Sequence, residues 1–302
     1  MTISFYDEIN ANKRRSLALL IGIAAILLLF GYSLGESYGL GYGGLAIAVV
    51  IGVISGLTSY YGGAGIVLAA SRAQEVTKEQ QPQLLNVIEE LCIAGGLPMP
   101  KVYLIDDTAP NAFATGRDPQ HAAVAITTGL LQKLNRTQLQ GVMAHELSHV
   151  RNYDILFATM VGILVGSIAM LADLSLRSMR WGMFRGRRSS KNSGGGTAVF
   201  AILAVLLAIL APIFSKLLQL SISRRREYLA DASAVQLTRD PEGLAGALDV
   251  ISHDEEVLEV ANRATQHLYI VNPIKPFEDR AKSLFSTHPP IEERIRRLRA
   301  MA

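Results

Sequence analysis

His145-Glu146-Leu147-Ser148-His149 is the part of this sequence with the most evident chemistry. On a helix, two histidines four residues apart project from one face, one turn apart. Both imidazoles can then grip a single Zn²⁺, and the glutamate beside the first can act as a base toward a water held there. A catalytic zinc site usually takes three protein ligands and keeps one position open. The remaining histidines are His121, His253, His267 and His288. Carboxylates compete with them: Glu227 and Asp231, in Arg226-Glu227-Tyr228-Leu229-Ala230-Asp231, are four apart and share a helix face. One can bind zinc while the other orients a ligating histidine. The same pair also reads as solvated carboxylates beside Arg224, Arg225 and Arg226. His288, before Pro289-Pro290, reads either as a turn residue capping a last helix over Ile291 to Arg299 or as a functional group.

The elements that would position these residues are legible around them. Between Arg72 and Asp154 the pattern is soluble α+β. Gln83 to Ala94 has helical spacing through Leu84, Leu85, Ile88 and Leu91, and Gly95-Gly96 with Pro98 ends it. Lys101 to Ile105 and Ala122 to Ile126 read as strands, with Asn111 to Thr115 as a third short extended piece. A helix capped by Asn135 or Thr137 then runs through Leu139, Val142 and Met143 into the histidine pair.

The remainder of the chain is greasy. Half of the 302 residues are hydrophobic and only 18% are charged, well under the usual quarter for a soluble chain. Mean hydropathy is accordingly positive, at +0.27. Ser16 to Leu34 and Ser37 to Ser71 are uncharged and long enough to cross a bilayer. A signal peptide competes for the first run. No small-residue cleavage site precedes the second, so the two read as a transmembrane hairpin. Further apolar runs cover Ile155 to Ala172 and Ala198 to Ser215, making four candidate transmembrane helices.

Lys13, Arg14 and Arg15 put the N-terminus in the cytoplasm, and Arg72 with Lys78 return the chain there. The basic loop from Arg177 to Lys191 breaks this pattern, because two full crossings would put it outside. An even hairpin returns the chain to the side it left in either case, so residues before 155 and after 220 can share one site. The net charge of +3 is concentrated beside apolar runs, as in juxtamembrane segments, which argues against nucleic acid as a partner. The single cysteine, Cys92, excludes an intrachain disulfide and a cysteine zinc cluster.

In order, the chain carries Asn111-Ala112-Phe113-Ala114-Thr115-Gly116, Ala144 to His149, Asn152-Tyr153-Asp154, Arg226 to Asp231, and Thr287-His288-Pro289-Pro290-Ile291-Glu292-Glu293-Arg294. With its apolar runs, this series resembles the HtpX membrane-bound zinc metalloproteases, gluzincins related to the CAAX prenyl proteases. The resemblance implies an α+β, mainly helical fold: an integral membrane protein with a zincin-like catalytic domain of a small sheet plus an active-site helix. It divides the chain into a hairpin anchor (1–71), the protease domain (72–154 and 221–302) and an inserted hydrophobic hairpin (155–220). It assigns one Zn²⁺ to His145, His149 and Glu227, with Asp231 bonded to His145 and Glu146 as the base. It puts His288 near the tetrahedral oxyanion and makes Asn111, Ala112 and Phe113 an edge strand on which an extended substrate adds.

The implied function is hydrolysis of misfolded or damaged membrane proteins at the cytoplasmic face of the cell's inner membrane. The implied partners are polypeptide substrates and the lipid bilayer. A CAAX prenyl protease is the alternative, disfavoured because those relatives are longer and have seven spans. A non-catalytic membrane-anchored zinc protein is the remaining rival.

Overall fold

The structure is a computed structural model that describes residues 5–37, 39–158, 205, 209, 226–254, 256, 258, 269–270 and 289–301. It begins with two long antiparallel helices, α1 (Phe5–Ser37) and α2 (Tyr42–Ala70). They approach closely because small residues line the seam: a Cβ added to Gly35 would lie 2.6 Å from Gly44 Cα, and Gly31 meets Ala48. Away from that seam α2 exposes Ile47, Val50, Val53, Ile54 and Leu57. Among the described residues, α2 is the one helix long and apolar enough to cross a membrane, while α1 contributes a shorter apolar stretch, Ala24–Glu36. The third and fourth apolar runs expected from the sequence lie outside the described residues, apart from residues 155–158, which are helical, and the isolated positions 205 and 209.

A four-stranded mixed sheet follows, ordered β1 (Gln74–Glu75), β2 (Lys101–Ile105), β4 (Ala122–Thr127), β3 (Ala112–Gly116). β2 and β4 run parallel, with Val102 beside Val124; β3 is antiparallel to β4, with Ala112 opposite Ile126 and Gly116 opposite Ala122. Gly116 turns β3 toward β4 at φ +142°, where a Cβ would meet the His121 carbonyl. The period-two alternation sorts the side chains to two sides. Ile105, Phe113, Ala123 and Ala125 pack with Val67 and Leu68 at the end of α2. Val102, Ala112, Ala114, Val124 and Ile126 belong to the main core on the opposite face. The sheet is thus a layer between the end of the apolar hairpin and the helices of the core.

Those helices form for local reasons. α3 (Pro82–Gly95) starts with proline in its first turn, buries Leu84, Val87, Ile88 and Leu91 at helical spacing, and stops at Gly96, φ +62°. After the short α4 (Thr128–Lys133), α5 (Arg136–Arg151) opens with a reciprocal capping box between Asn135 and Gln138. The described chain resumes in α6, residues 226–238, which ends at Arg239, φ +56°. Asp240 caps α7 (Pro241–Ser252) by accepting from the Glu242 and Gly243 N–H groups. α7 lies against α5 at Gly141, where a Cβ would come 2.6 Å from the Leu244 nitrogen. Leu139, Val142, Leu244 and Leu248 fill this contact; each fully buried side chain of this kind contributes about 1.5–3 kcal/mol. The last helix, α8 (Ile291–Arg299), buries Ile295 and Leu298.

Candidate active site

α5 carries His145 and His149 inward with their rings edge to face, centroids 4.7 Å apart. Their Nε2 atoms are 3.2 Å apart. α6 brings Glu227 to the same point: Oε2 is 3.7 Å from His145 Nε2 and Oε1 is 3.6 Å from His149 Nε2. Tetrahedral zinc with bonds of about 2.0–2.1 Å would hold its donor atoms about 3.3 Å apart. All three donors lie within 4.8 Å of one another, so the trio is close to the spacing such an ion requires.

The far side of each ring supports the same fit. Asp231 Oδ1 is 3.0 Å from His145 Nδ1, and Asp154 Oδ2 is 3.1 Å from His149 Nδ1. A carboxylate at each Nδ1 holds a ring proton there and turns both Nε2 atoms toward Glu227. Behind the carboxylates stand two buried guanidiniums. Arg294 grips Asp231 twice, Nε to Oδ2 at 2.9 Å and Nη2 to Oδ1 at 2.7 Å, and its Nη1 is 3.3 Å from Glu227 Oε2. Arg226 Nε is 3.5 Å from Asp154 Oδ1. Four buried carboxylates (Glu146, Asp154, Glu227, Asp231) therefore face two buried arginines among the described residues. Fully ionised, that set leaves two negative charges, the complement of one divalent cation.

The field acts on the titrating groups accordingly. Burial drives the His145 imidazole below its usual range, further than Asp231 restores it. Burial also opposes charge on His149, but the Asp154 hydrogen bond and the Glu227 charge outweigh it and raise that group to about 9. Asp231 stays well below the usual carboxylate range: burial works against its ionisation, and Arg294 and His145 overcome it. Glu146 is pushed up to about 7, first by burial and then by Glu227, although the Ala114 N–H bonds to it. A carboxylate with that poise beside the donor trio is suited to exchanging a proton near neutral pH.

His145, Glu146, His149, Glu227 and Asp231 thus come together from segments nearly eighty residues apart. The edge-strand residues lie beside them on β3, in different settings. Asn111 is buried, and its side chain accepts from the Ala112 N–H. Because the Asn111 carbonyl bonds toward β4, alternation turns the peptide groups of Ala112 and Ala114 outward. The Ala112 carbonyl there already accepts from the Ile270 N–H at 2.9 Å. Phe113 points to the α2 side of the sheet and packs against Tyr269, with ring centroids 5.0 Å apart. His288 lies outside the described residues, as does His267. His121 and His253 are exposed and bond Asp118 and the Asp249 carbonyl, away from the trio.

Sequence reasoning gave no role to Asp154, Arg226 or Arg294. Arg294 had a readable signal: it falls on the apolar stripe of α8 with Ile291, Ile295 and Leu298, where a charge needs a buried partner. Asp154 depends on a turn that spacing does not reveal. Tyr153 takes φ +60° just past α5, and this left-handed step turns Asp154 back to His149.

Comparison with known proteins bears on the whole chain. The profile of Peptidase family M48 matches residues 78–302, a span that includes every site residue named above. A "Protease HtpX homolog" of Ligilactobacillus salivarius is 44% identical over 298 residues, 98% of this chain and 99% of that protein.

The chain belongs to peptidase family M48, among the HtpX proteases.

A Dictyoglomus turgidum relative, also described as a "Protease HtpX homolog", is 45% identical across 99% of this chain and 95% of its own length. The M48 fold is met again in the crystal structure of S. mikatae Ste24p, with a TM-score of 0.52 at 20% identity over 95% of this chain. The chain spans 65% of the length of Ste24p. As an M48 peptidase the protein is a hydrolase whose substrates are polypeptides. The mainly helical fold with a small mixed sheet agrees with the sequence expectation.

Proposed function

We propose that the chain is a membrane-anchored zinc endopeptidase that hydrolyses misfolded or damaged membrane proteins on the cytoplasmic side of the cell membrane. The observation carrying this reading is the convergence of His145, His149 and Glu227 at metal-ligand spacing with Glu146 alongside. One Zn²⁺ per chain would be held by those three side chains. When bound, the cation supplies Lewis acidity to a water and to the scissile carbonyl.

The chain's own residues do the rest. Glu146 takes the proton of the attacking water and passes it to the leaving amine. Asp231 and Asp154 hold the two imidazoles with Nε2 toward the cation. An extended substrate donates its main-chain N–H groups to the outward carbonyls of β3, at Ala112 and Ala114, and Asn111 braces that strand. Phe113 supports the strand from its far face. His288 stabilises the tetrahedral oxyanion.

The hairpin 1–71 anchors the protease domain (72–154 and 221–302), and the apolar hairpin 155–220 interrupts it. Lys13, Arg14, Arg15, Arg72 and Lys78 support a cytoplasmic catalytic face. The apolar surface of α2, with its end packed under the sheet, supports a cleft close to the bilayer. Detergent-solubilised chain is expected to cleave an unfolded polypeptide, to stop when a chelator strips the metal, and to recover with Zn²⁺. Labelling of a cysteine placed at Ser189, from each side of the membrane, tests the topology. Cleavage that survives complete metal removal would sink the zinc reading.

A further inference from the structure

α2 carries its own measure of a bilayer. Its exposed run of Ile47, Val50, Val53, Ile54 and Leu57 lies between tyrosines at two levels. Tyr42 is exposed at one end, its ring centroid 6.0 Å from that of Tyr32 on α1. Tyr60 and Tyr61 are exposed at the other, their rings edge to face at 4.9 Å. At about 1.5 Å per residue, Tyr42 and Tyr60 stand about 27 Å apart along the axis. That is close to the roughly 30 Å of a hydrocarbon core, and tyrosine is enriched at both of its boundaries.

Past Tyr61 the helix continues to Ala70 in different surroundings. Val67 and Leu68 are buried there against Ile105, Phe113, Ala123 and Ala125 of the sheet. The boundary therefore falls at Tyr60 and Tyr61, about a dozen residues before Arg72, the first basic residue after Arg15 in the sequence. The cation that marks such a boundary comes from another element. Arg117, just past β3, has its guanidinium carbon 5.9 Å from the Tyr60 centroid and 5.5 Å from that of Tyr61, within cation–π range. It stays partly exposed. Asp118 Oδ2 also lies 3.5 Å from it, but that carboxylate is committed through Oδ1 to His121. Ile155, which opens the third apolar run of the sequence, reaches the same corner: a Cβ on Gly116 would lie 3.1 Å from its Cδ1. Two apolar stretches far apart in sequence thus meet the sheet at Gly116 and Arg117.

We infer that Tyr60, Tyr61 and Arg117 form the surface by which the protease domain rests on the bilayer, with Arg117 paired to a phospholipid phosphate. A limit on the substrate follows. Glu146 accepts from the Ala114 N–H, and Ala114 to Arg117 spans at most about 10 Å of extended chain, at about 3.3 Å per residue. With the reach of the side chains added, the bond that Glu146 acts on lies roughly 10–15 Å from the phosphates at most. An extended polypeptide covers that distance in about five residues. The favoured substrate is therefore the juxtamembrane stretch of a membrane protein rather than a distant part of a long loop. This rests on the endopeptidase reading and on α2 as an anchor, both given above.

The test uses the full chain with Zn²⁺ in nanodiscs of phosphatidylethanolamine and phosphatidylglycerol. Nitroxides attached singly to Val53→Cys, Tyr61→Cys and Gln120→Cys, in a Cys92→Ala background, report depth from collisions with O₂ against a water-soluble nickel chelate. Val53→Cys should read as hydrocarbon, Tyr61→Cys as phosphate level and Gln120→Cys as the water beside it. The substrate is a single membrane helix bearing a long unfolded tail, with cuts mapped by mass spectrometry. Wild-type cuts should cluster within about the first ten residues of the tail, twice the extended reach. Folded Arg117→Gln should slow those cuts about fivefold, the weight of one basic residue at an anionic surface. Its cleavage of a soluble unfolded polypeptide should stay within about twofold of wild type, and Arg117→Lys should recover most of the loss. Cuts spread evenly along the tail, a folded Arg117→Gln that affects both substrates alike or neither, or a Tyr61→Cys label as deep as Val53→Cys, would overturn the docking surface alone. A Val53→Cys label in water would overturn the anchor reading with it. A wild-type chain that cuts neither substrate would overturn the endopeptidase reading with it.

Discussion

Asp231 faces His145 Nδ1 at 3.0 Å through the same carboxylate oxygen that Arg294 holds at 2.7 Å. The ligand candidate on α5, the carboxylate on α6 and the guanidinium on α8 are therefore one chain of contacts. Its members lie up to 149 residues apart in sequence. Arg294 also reaches Glu227 and donates to the Ile270 carbonyl, so a single buried side chain ties three parts of the site together.

Arg294→Met leaves two buried carboxylates without their main counter-charge. Breaking a buried pair in this way costs about 3–5 kcal/mol. The variant should unfold at a markedly lower temperature and bind Zn²⁺ more weakly, read by thermal unfolding and by metal titration. Wild-type values for both would show that the arginine carries no weight.

Metal uptake should depend on pH through His149. Without metal, this group is raised to about 9 from its ordinary 6.5. Its protonated form therefore stabilises the metal-free fold fully below about 6.5, and that contribution fades as pH rises through about 9. A metal must displace that proton. Apparent Zn²⁺ affinity should then climb about tenfold per pH unit from neutrality to about 9 and level off above. Asp154→Asn removes the main cause of the shift and should bring the break point down. A flat affinity over this range would contradict the assignment.

The contact between α5 and α7 has no room at Gly141, where an added Cβ meets the Leu244 backbone. Gly141→Val should destabilise the chain by about 1–3 kcal/mol, the usual cost of overpacking. Activity should fall with it, because α5 carries both histidines. Differential scanning calorimetry measures the first effect and a peptide-cleavage assay the second.

The outward carbonyl of Ala112 is already bonded to the Ile270 N–H. A substrate strand added at that point must replace it. Ile270→Pro removes the competing donor, worth about 0.5–1.5 kcal/mol net. The variant should lower KM for an extended peptide by about two- to tenfold with kcat little changed. A raised KM would mean that Ile270 helps to bind substrate instead.

How far the sequence revealed this arrangement follows from how local each feature is. β2 and α8 are found at the bounds that spacing predicts, and α5 starts at Asn135, one of the two caps foreseen, because periodicity and capping are properties of neighbouring residues. β1, two residues long, carries no pattern and is held only by pairing with β2. His145, Glu146 and His149 are legible as a group because one helix holds them. Asp154 and Arg226 are not, since their partners are chosen by a left-handed turn and by the meeting of two distant chain ends.

The most direct measurement is zinc content and polypeptide cleavage of purified wild type, Glu146→Gln and Glu227→Ala, side by side. The expected result is one zinc per chain and cleavage in wild type, zinc without cleavage in Glu146→Gln, and loss of both in Glu227→Ala. Full cleavage by Glu146→Gln, or full zinc in Glu227→Ala, would contradict the assigned roles.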